Sequence, residues 1–164
     1  MKNSATLANK KPLDNPATQF LQGVLADTYG LYLATHNYHW NVEGSKFIML
    51  HKLFEEQYNE LFIAIDSIAE RIRALNEYAL PFEGDNILKI LKMTSNPLNK
   101  ETNADQRAER MVHNLIALNE AVVKSCQWAK EELRNVHDDE SESLLVERVT
   151  AHQKASWMLN SIIK

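Results

Sequence analysis

Five residues have the types and the spacing of metal ligands: His39, His51, Glu55, Asp66 and Glu70. The last four fall in one segment that reads as a long helix. Advancing about 100° per residue from His51 puts Glu55 at about 40°, Asp66 at about 60° and Glu70 at about 100°. All four share a face. Ile48 and Phe62 lie on the same flank, beside the apolar stripe and not opposite it. Such residues do not suit a solvated face, so this one is expected to be covered by something other than the chain's own core. Imidazole and carboxylate without thiolate form an oxygen-rich donor set that suits iron or manganese, with zinc as a competitor. The same acids and bases also suit a solvated, salt-bridged helix face, the commoner use of charge on a long helix.

Distance separates the ligands into two groups. His51 and Glu55 are one turn apart, as are Asp66 and Glu70, but His51 and Asp66 lie roughly 22 Å apart along a straight helix. Ligand bonds near ~2 Å cannot span that gap. Each chain therefore carries two half-sites. A second copy of the helix, antiparallel across a two-fold axis near Asn59 or Glu60, would join the first half-site of one chain to the second of the other, twice over. His39, at the end of the preceding helix, can fold back to join His51. The completed site is His39, His51 and Glu55 from one chain with Asp66 and Glu70 of the partner subunit. Arg71 and Arg73 stand near enough in sequence to pair with ligand carboxylates. A di-iron site inside one bundle usually draws on Glu-x-x-His pairs, and the sequence has none. It also lacks a Gly-rich phosphate loop, a nucleophile elbow and a zinc-protease motif. His36, His113, His137 and His152 read as structural, Trp40, Trp128 and Trp157 as packing residues, and Cys126 as a small core residue.

The elements that must hold these residues are helices. The chain has 164 residues, 45% hydrophobic and 24% charged, with only 4 Gly and 4 Pro, too little turn chemistry for an all-β fold. One all-α domain is expected over residues 15–164, after a flexible tail, residues 1–14, that carries Lys2, Lys10 and Lys11 against Asp14. Asn15-Pro16 starts the first helix, which runs to about Trp40 before Asn41-Val42-Glu43-Gly44 breaks it. The second spans about Ser45 to Asn76, with Phe47, Leu50, Phe54, Tyr58, Leu61, Ile65, Ile68, Ile72 and Leu75 repeating at the 3.6 period. Pro81, Gly84 and Pro97 mark a long link, in which Asp85 can cap a short helix holding Ile87, Leu88, Ile90 and Leu91. The third runs from about Asn103 to Asn135, with Met111, Leu115, Leu118, Val122, Cys126, Ala129 and Leu133 inward. Asp138-Asp139-Glu140 favours the start of the fourth, which carries Leu144, Leu145, Val149, Met158 and Ile162. Four long helices with one long crossover make a ferritin-like bundle.

Composition also narrows the setting. No apolar run approaches the roughly 18 residues of a membrane span. The first residues lack the apolar core of a signal peptide, and one cysteine excludes an internal disulfide framework. A cytoplasmic chain without a membrane partner is expected. The net charge of -4 excludes DNA binding by bulk charge, so any DNA contact rests on the lysine tail.

His39-Trp40-Asn41-Val42-x-Gly44, Phe47, Leu50-His51, Phe54-Glu55, Asp66 and Ala69-Glu70-Arg71 together resemble the signature of the Dps family, the DNA-binding proteins from starved cells. The resemblance is specific over about residues 36–76 and extends more loosely through the last two helices, including His152 to Met158. It implies a four-helix bundle with a short helix in the long link, assembled from two-fold dimers into a twelve-subunit hollow shell. It implies a ferroxidase that binds Fe(II) at dimer-shared sites, oxidises it with hydrogen peroxide or oxygen, and stores ferric mineral. By position His39, His51, Asp66 and Glu70 match the family's ligands. Glu55 stands where many members have Asp, Asn76 where a Gly often follows the helix, and Ser141-Glu142-Ser143 where Thr-Ala-Asp is common. Asp138, Asp139 and Glu142 are candidates for the iron-entry pore, although helix capping would also account for one of the first two. A shell that binds DNA through its tails would sit in the bacterial nucleoid.

Overall fold

The computed structural model describes residues 15–80 and 103–164. The lysine tail and the short helix expected in the link lie outside these residues. Four helices are described: α1 (Pro16–Asn41), α2 (Phe47–Ala74), α3 (Ala104–Asn135) and α4 (Asp139–Ile162). Three of the four starts are capped by a side chain, the exception being α2. Asn15 accepts the Ala17 N–H at 2.9 Å, with Pro16 at the first helical position. Asn103 accepts the N–H groups of Asp105 and Gln106. Asp138 accepts the Ser141 N–H at 3.0 Å.

The ends are equally specific. Asn76 has φ 67°, Asn76 N–H donates to Arg73 O, and Glu77 N–H donates to Ile72 O. This is the Schellman closure, which normally selects Gly or Asn. The Asn that stands in place of Gly meets the same backbone demand. His137, at φ 59°, ends α3 in the same way, its N–H reaching Arg134 O and the Asp138 N–H reaching Leu133 O.

Hydrogen bonds between helix tips give the topology. Gln22, near the start of α1, accepts the Leu80 N–H beyond the end of α2, so the two helices run antiparallel. Ser45, in the α1–α2 turn, donates its N–H (2.7 Å) and its hydroxyl (2.9 Å) to Asp105 in the first turn of α3. α3 therefore begins at the tip opposite the one where α2 ends. Lys46 then reaches Ile162 O, which puts the end of α4 at that same tip. α1 packs broadly on α2 and α3, and α3 on α4, whereas α2 and α4 meet sparsely.

The core lies on the expected stripes. Leu21, Leu25, Leu31, Leu50, Phe54, Ile68, Ile72, Met111, Leu115, Cys126, Leu133 and Leu145 are fully buried. Two stripes depart from expectation. Phe47 is 39% exposed at the α2 entrance. On α4 the buried positions are Ser141, Leu145, Arg148, His152 and Leu159, while Leu144, Val149, Met158 and Ile162 are only partly covered. Trp40, Trp128 and Trp157 are exposed, at 65%, 55% and 67%, although Trp128 still meets Phe20 edge-on at 5.3 Å and Trp40 lies against His36.

Candidate metal centre

The tight α1–α2 turn places His39 over His51. Gly44 makes the turn at φ 97°, and a Cβ there would lie 2.4 Å from Asp105 Oδ1. Only glycine fits both the backbone and the space. The two imidazoles stack with centroids 3.9 Å apart and planes at 22°. His39 Nδ1–H donates to His51 O, and His51 Nδ1–H donates to His39 O, both at 2.9 Å. A carbonyl only accepts, so each Nδ1 carries a proton, and in the neutral form of such a ring the lone pair lies on Nε2. Neither Nε2 has a hydrogen-bond partner among the described residues. A backbone carbonyl on the far nitrogen is the arrangement that orients an imidazole for a metal.

Aromatic rings wall the pair. His36 stacks on Tyr58 (4.3 Å, 30°) and lies 4.1 Å from Trp40, and Tyr58 meets His39 edge-on at 5.1 Å. Burial, and then the neighbouring His39, hold the His36 pKa below its ordinary value. His36 and Tyr58, read from sequence as a structural histidine and a stripe residue, thus border the pair. Their i, i+3 spacing from His39 and Glu55 was the available signal.

Glu55, Asp66 and Glu70 are exposed on α2. So are Ile48 (63%) and Phe62 (62%) on the same flank, so no described residue covers that face. Because α2 is unbroken from Phe47 to Ala74, His51 and Asp66 stay about four turns apart. Among the described residues no three His, Cys, Asp or Glu side chains converge to hold an ion within one chain. Two half-sites on one rod require that result.

The arginines beside the ligands are engaged elsewhere, contrary to their sequence spacing. Arg71 Nη2 donates to Asp138 Oδ1 at 2.7 Å and Nε donates to Ser141 Oγ at 2.8 Å. Arg73 lies over the Tyr78 ring at 4.6 Å and donates to Glu77 O. The last turn of α2 faces the α3–α4 turn, and sequence spacing does not reveal that neighbour. Burial alone would raise the Asp138 pKa, but bonds from the Ser141 backbone, the Ser141 hydroxyl and Arg71 outweigh it and hold the carboxyl below its ordinary value. Asp138 is therefore the α4 cap, Glu142 pairs with Arg134, and Asp139 is exposed.

Comparison with known proteins agrees with this fold. The ferritin-like domain family matches residues 18–164. DNA protection during starvation protein 2 of Bacillus anthracis is 28% identical over 92% of this chain and 99% of its own length. The structure of Dps from Thermosynechococcus elongatus superposes with TM-score 0.76 at 28% identity, covering 90% of each chain. Dps from Vibrio cholerae O1, described as a member of a broad superfamily of ferritin-like diiron-carboxylate proteins, gives 0.73 at 25% identity over 90% of this chain and 89% of that one. The bundle, its long crossover and these likenesses together place the chain in the Dps family of ferritin-like proteins.

Proposed function

We propose that the protein is an iron-sequestering ferroxidase. It takes up Fe(II) at two centres shared across a two-fold dimer, oxidises it, and retains the ferric product inside a larger assembly, a dodecamer by family resemblance. The observation that carries this reading is the His39–His51 pair, whose two Nε2 lone pairs are left open at the edge of an uncovered apolar face. His39, His51 and Glu55 of one chain and Asp66 and Glu70 of the partner subunit are the ligands. Their nitrogen and carboxylate donors bind Fe(II) and favour the harder Fe(III) product. Zinc or manganese would fit the same donors. When hydrogen peroxide is the oxidant, two Fe(II) supply both electrons, two protons are taken up, and two waters form, so no hydroxyl radical is released. Asp138, Asp139 and Glu142, at the α3–α4 turn, border the entry path. The membership of a diiron-carboxylate relative in the same fold supports the reading.

The test is complementation. His51→Ala and Asp66→Ala are each loaded anaerobically with Fe(II), exposed to peroxide, and then mixed, dissociated and reassembled. Each variant alone is inactive. Random reassembly makes half the dimers mixed, each with one intact centre, so about a quarter of wild-type centres return. A double variant that oxidises iron as fast as wild type overturns the assignment.

DNA compaction is the second reading, favoured by the name of the Bacillus anthracis relative. Every copy adds a charge of -4, so an assembly repels DNA unless Lys2, Lys10 and Lys11 act together from many tails. A gel shift at low salt that is lost on removing residues 1–13 supports it; no shift in either form removes it.

A further inference from the structure

Glu60 lies between the two half-sites, five residues after Glu55 and six before Asp66. Its carboxylate accepts both arms of the Arg148 guanidinium, Nη1 donating to Oε1 and Nη2 to Oε2. Arg148 is 7% exposed, a charge on the buried stripe of α4. Its Nη2 also donates to His152 Nε2 at 3.2 Å, His152 Nδ1–H donates to Asn119 Oδ1 at 3.0 Å, and Asn119 Nδ2 donates to Leu115 O at 2.8 Å. Guanidinium only donates, so every role in this chain from α2 through α4 to α3 is forced. Around it, apolar packing is thin. A cavity of about 240 Å³ opens between α2 and α4, lined by Leu53, Gln57 and Leu61 on one side and Ala155 and Met158 on the other.

We propose that Arg148, seated by His152 and Asn119, is a positioning residue that fixes α2 along its axis through Glu60 and so keeps the two half-sites in register. The proposal rests on the shared centre argued above. Near a two-fold axis an axial slip of α2 counts twice, because the two copies slip in opposite directions. A fork at Glu60 acts where that slip is best controlled. Stability alone explains the pair poorly, since the Glu60 carboxylate is half exposed and an ion pair open to solvent adds little.

The experiment measures Co(II) affinity by calorimetry, and melting temperature separately, on the full chain. Arg148→Met is expected to bind about tenfold more weakly, the size of a lost supporting contact behind a ligand, and to melt below wild type because His152 Nε2 loses its donor. Arg148→Lys keeps the charge without the fork and falls between. Glu60→Gln, at a side chain half exposed to solvent and so tolerant of change, also weakens binding. Binding within twofold of wild type in Arg148→Met, or in Glu60→Gln where Arg148→Met does not fold, overturns the proposal. When His51→Ala and Asp66→Ala complement each other in the same assay, the shared centre survives that failure. When they do not, the shared centre falls and the proposal with it.

Discussion

His152 and the His39–His51 pair each carry a proton on Nδ1 and donate it to a fixed oxygen. They differ at the other nitrogen. His152 Nε2 accepts from Arg148, so both nitrogens are used and the ring is 1% exposed among helices. His39 and His51 use only backbone carbonyls, and their second nitrogens remain open. That pair is built on a turn at the bundle tip, and His152 sits on facing helix interiors. One unspent lone pair thus separates the structural imidazole from the two proposed as ligands, and burial alone does not: His39 is itself only 9% exposed.

The largest expected effect separates the two clusters directly. His51→Ala should lower Co(II) affinity beyond the ~10–100-fold that follows loss of an outer-shell partner. His152→Gln should stay within that range. Equal losses by calorimetry would erase the distinction.

Acid should act on His152 and sharpen the contrast. Burial, and then the Arg148 charge, push its pKa down to about 3 from an ordinary 6.5. The unfolded chain therefore takes up a proton near pH 6.5, and the folded one does not until about 3. Stability from this group is present above pH 6.5 and is lost as pH falls through that window, by up to ~1.4 kcal/mol per pH unit. Urea midpoints of wild type and His152→Gln, measured from pH 7 to 4, should converge as pH falls. Parallel curves would contradict the buried neutral ring.

A smaller effect is expected at the turn. Gly44→Ala forces a side chain onto Asp105 at positive φ, costing about 1–3 kcal/mol, and should lower the melting temperature. It should weaken metal binding only as far as the His pair shifts. The smallest effect is at Cys126. Burial pushes its thiol up to about 12, so a thiol reagent should leave the native protein unlabelled and react only on unfolding.

Much of the fold was legible because its signals are local. Asn15-Pro16, Asn103 and Asp138 cap helices in the structure where the chain chemistry says they should, and the Leu, Ile and Met stripes of α2 and α3 keep a 3.6 period. The proposed ligand face rests on the same periodicity. What stayed hidden depends on neighbours far away in sequence. The partnership of Arg71 with Asp138 spans 67 residues, and that of Glu60 with Arg148 spans 88. The signal for the second was present but unread. Arg148 and His152 fall on the turn spacing of Leu145 and Leu159, which puts two polar residues on a buried stripe and demands partners for both. The exposure of the tryptophans was not legible because apolar character states a need for cover without naming what supplies it.

The long crossover has one practical outcome. Because α1 begins at the tip where α2 ends, and α4 finishes at the tip where α2 begins, the chain enters at Asn15 and leaves after Ile162 at opposite poles. α1 alone is roughly 39 Å long. A reporter fused before Asn15 and another after Ile162 would sit a helix length apart, and two fluorophores placed there would gauge the rod directly.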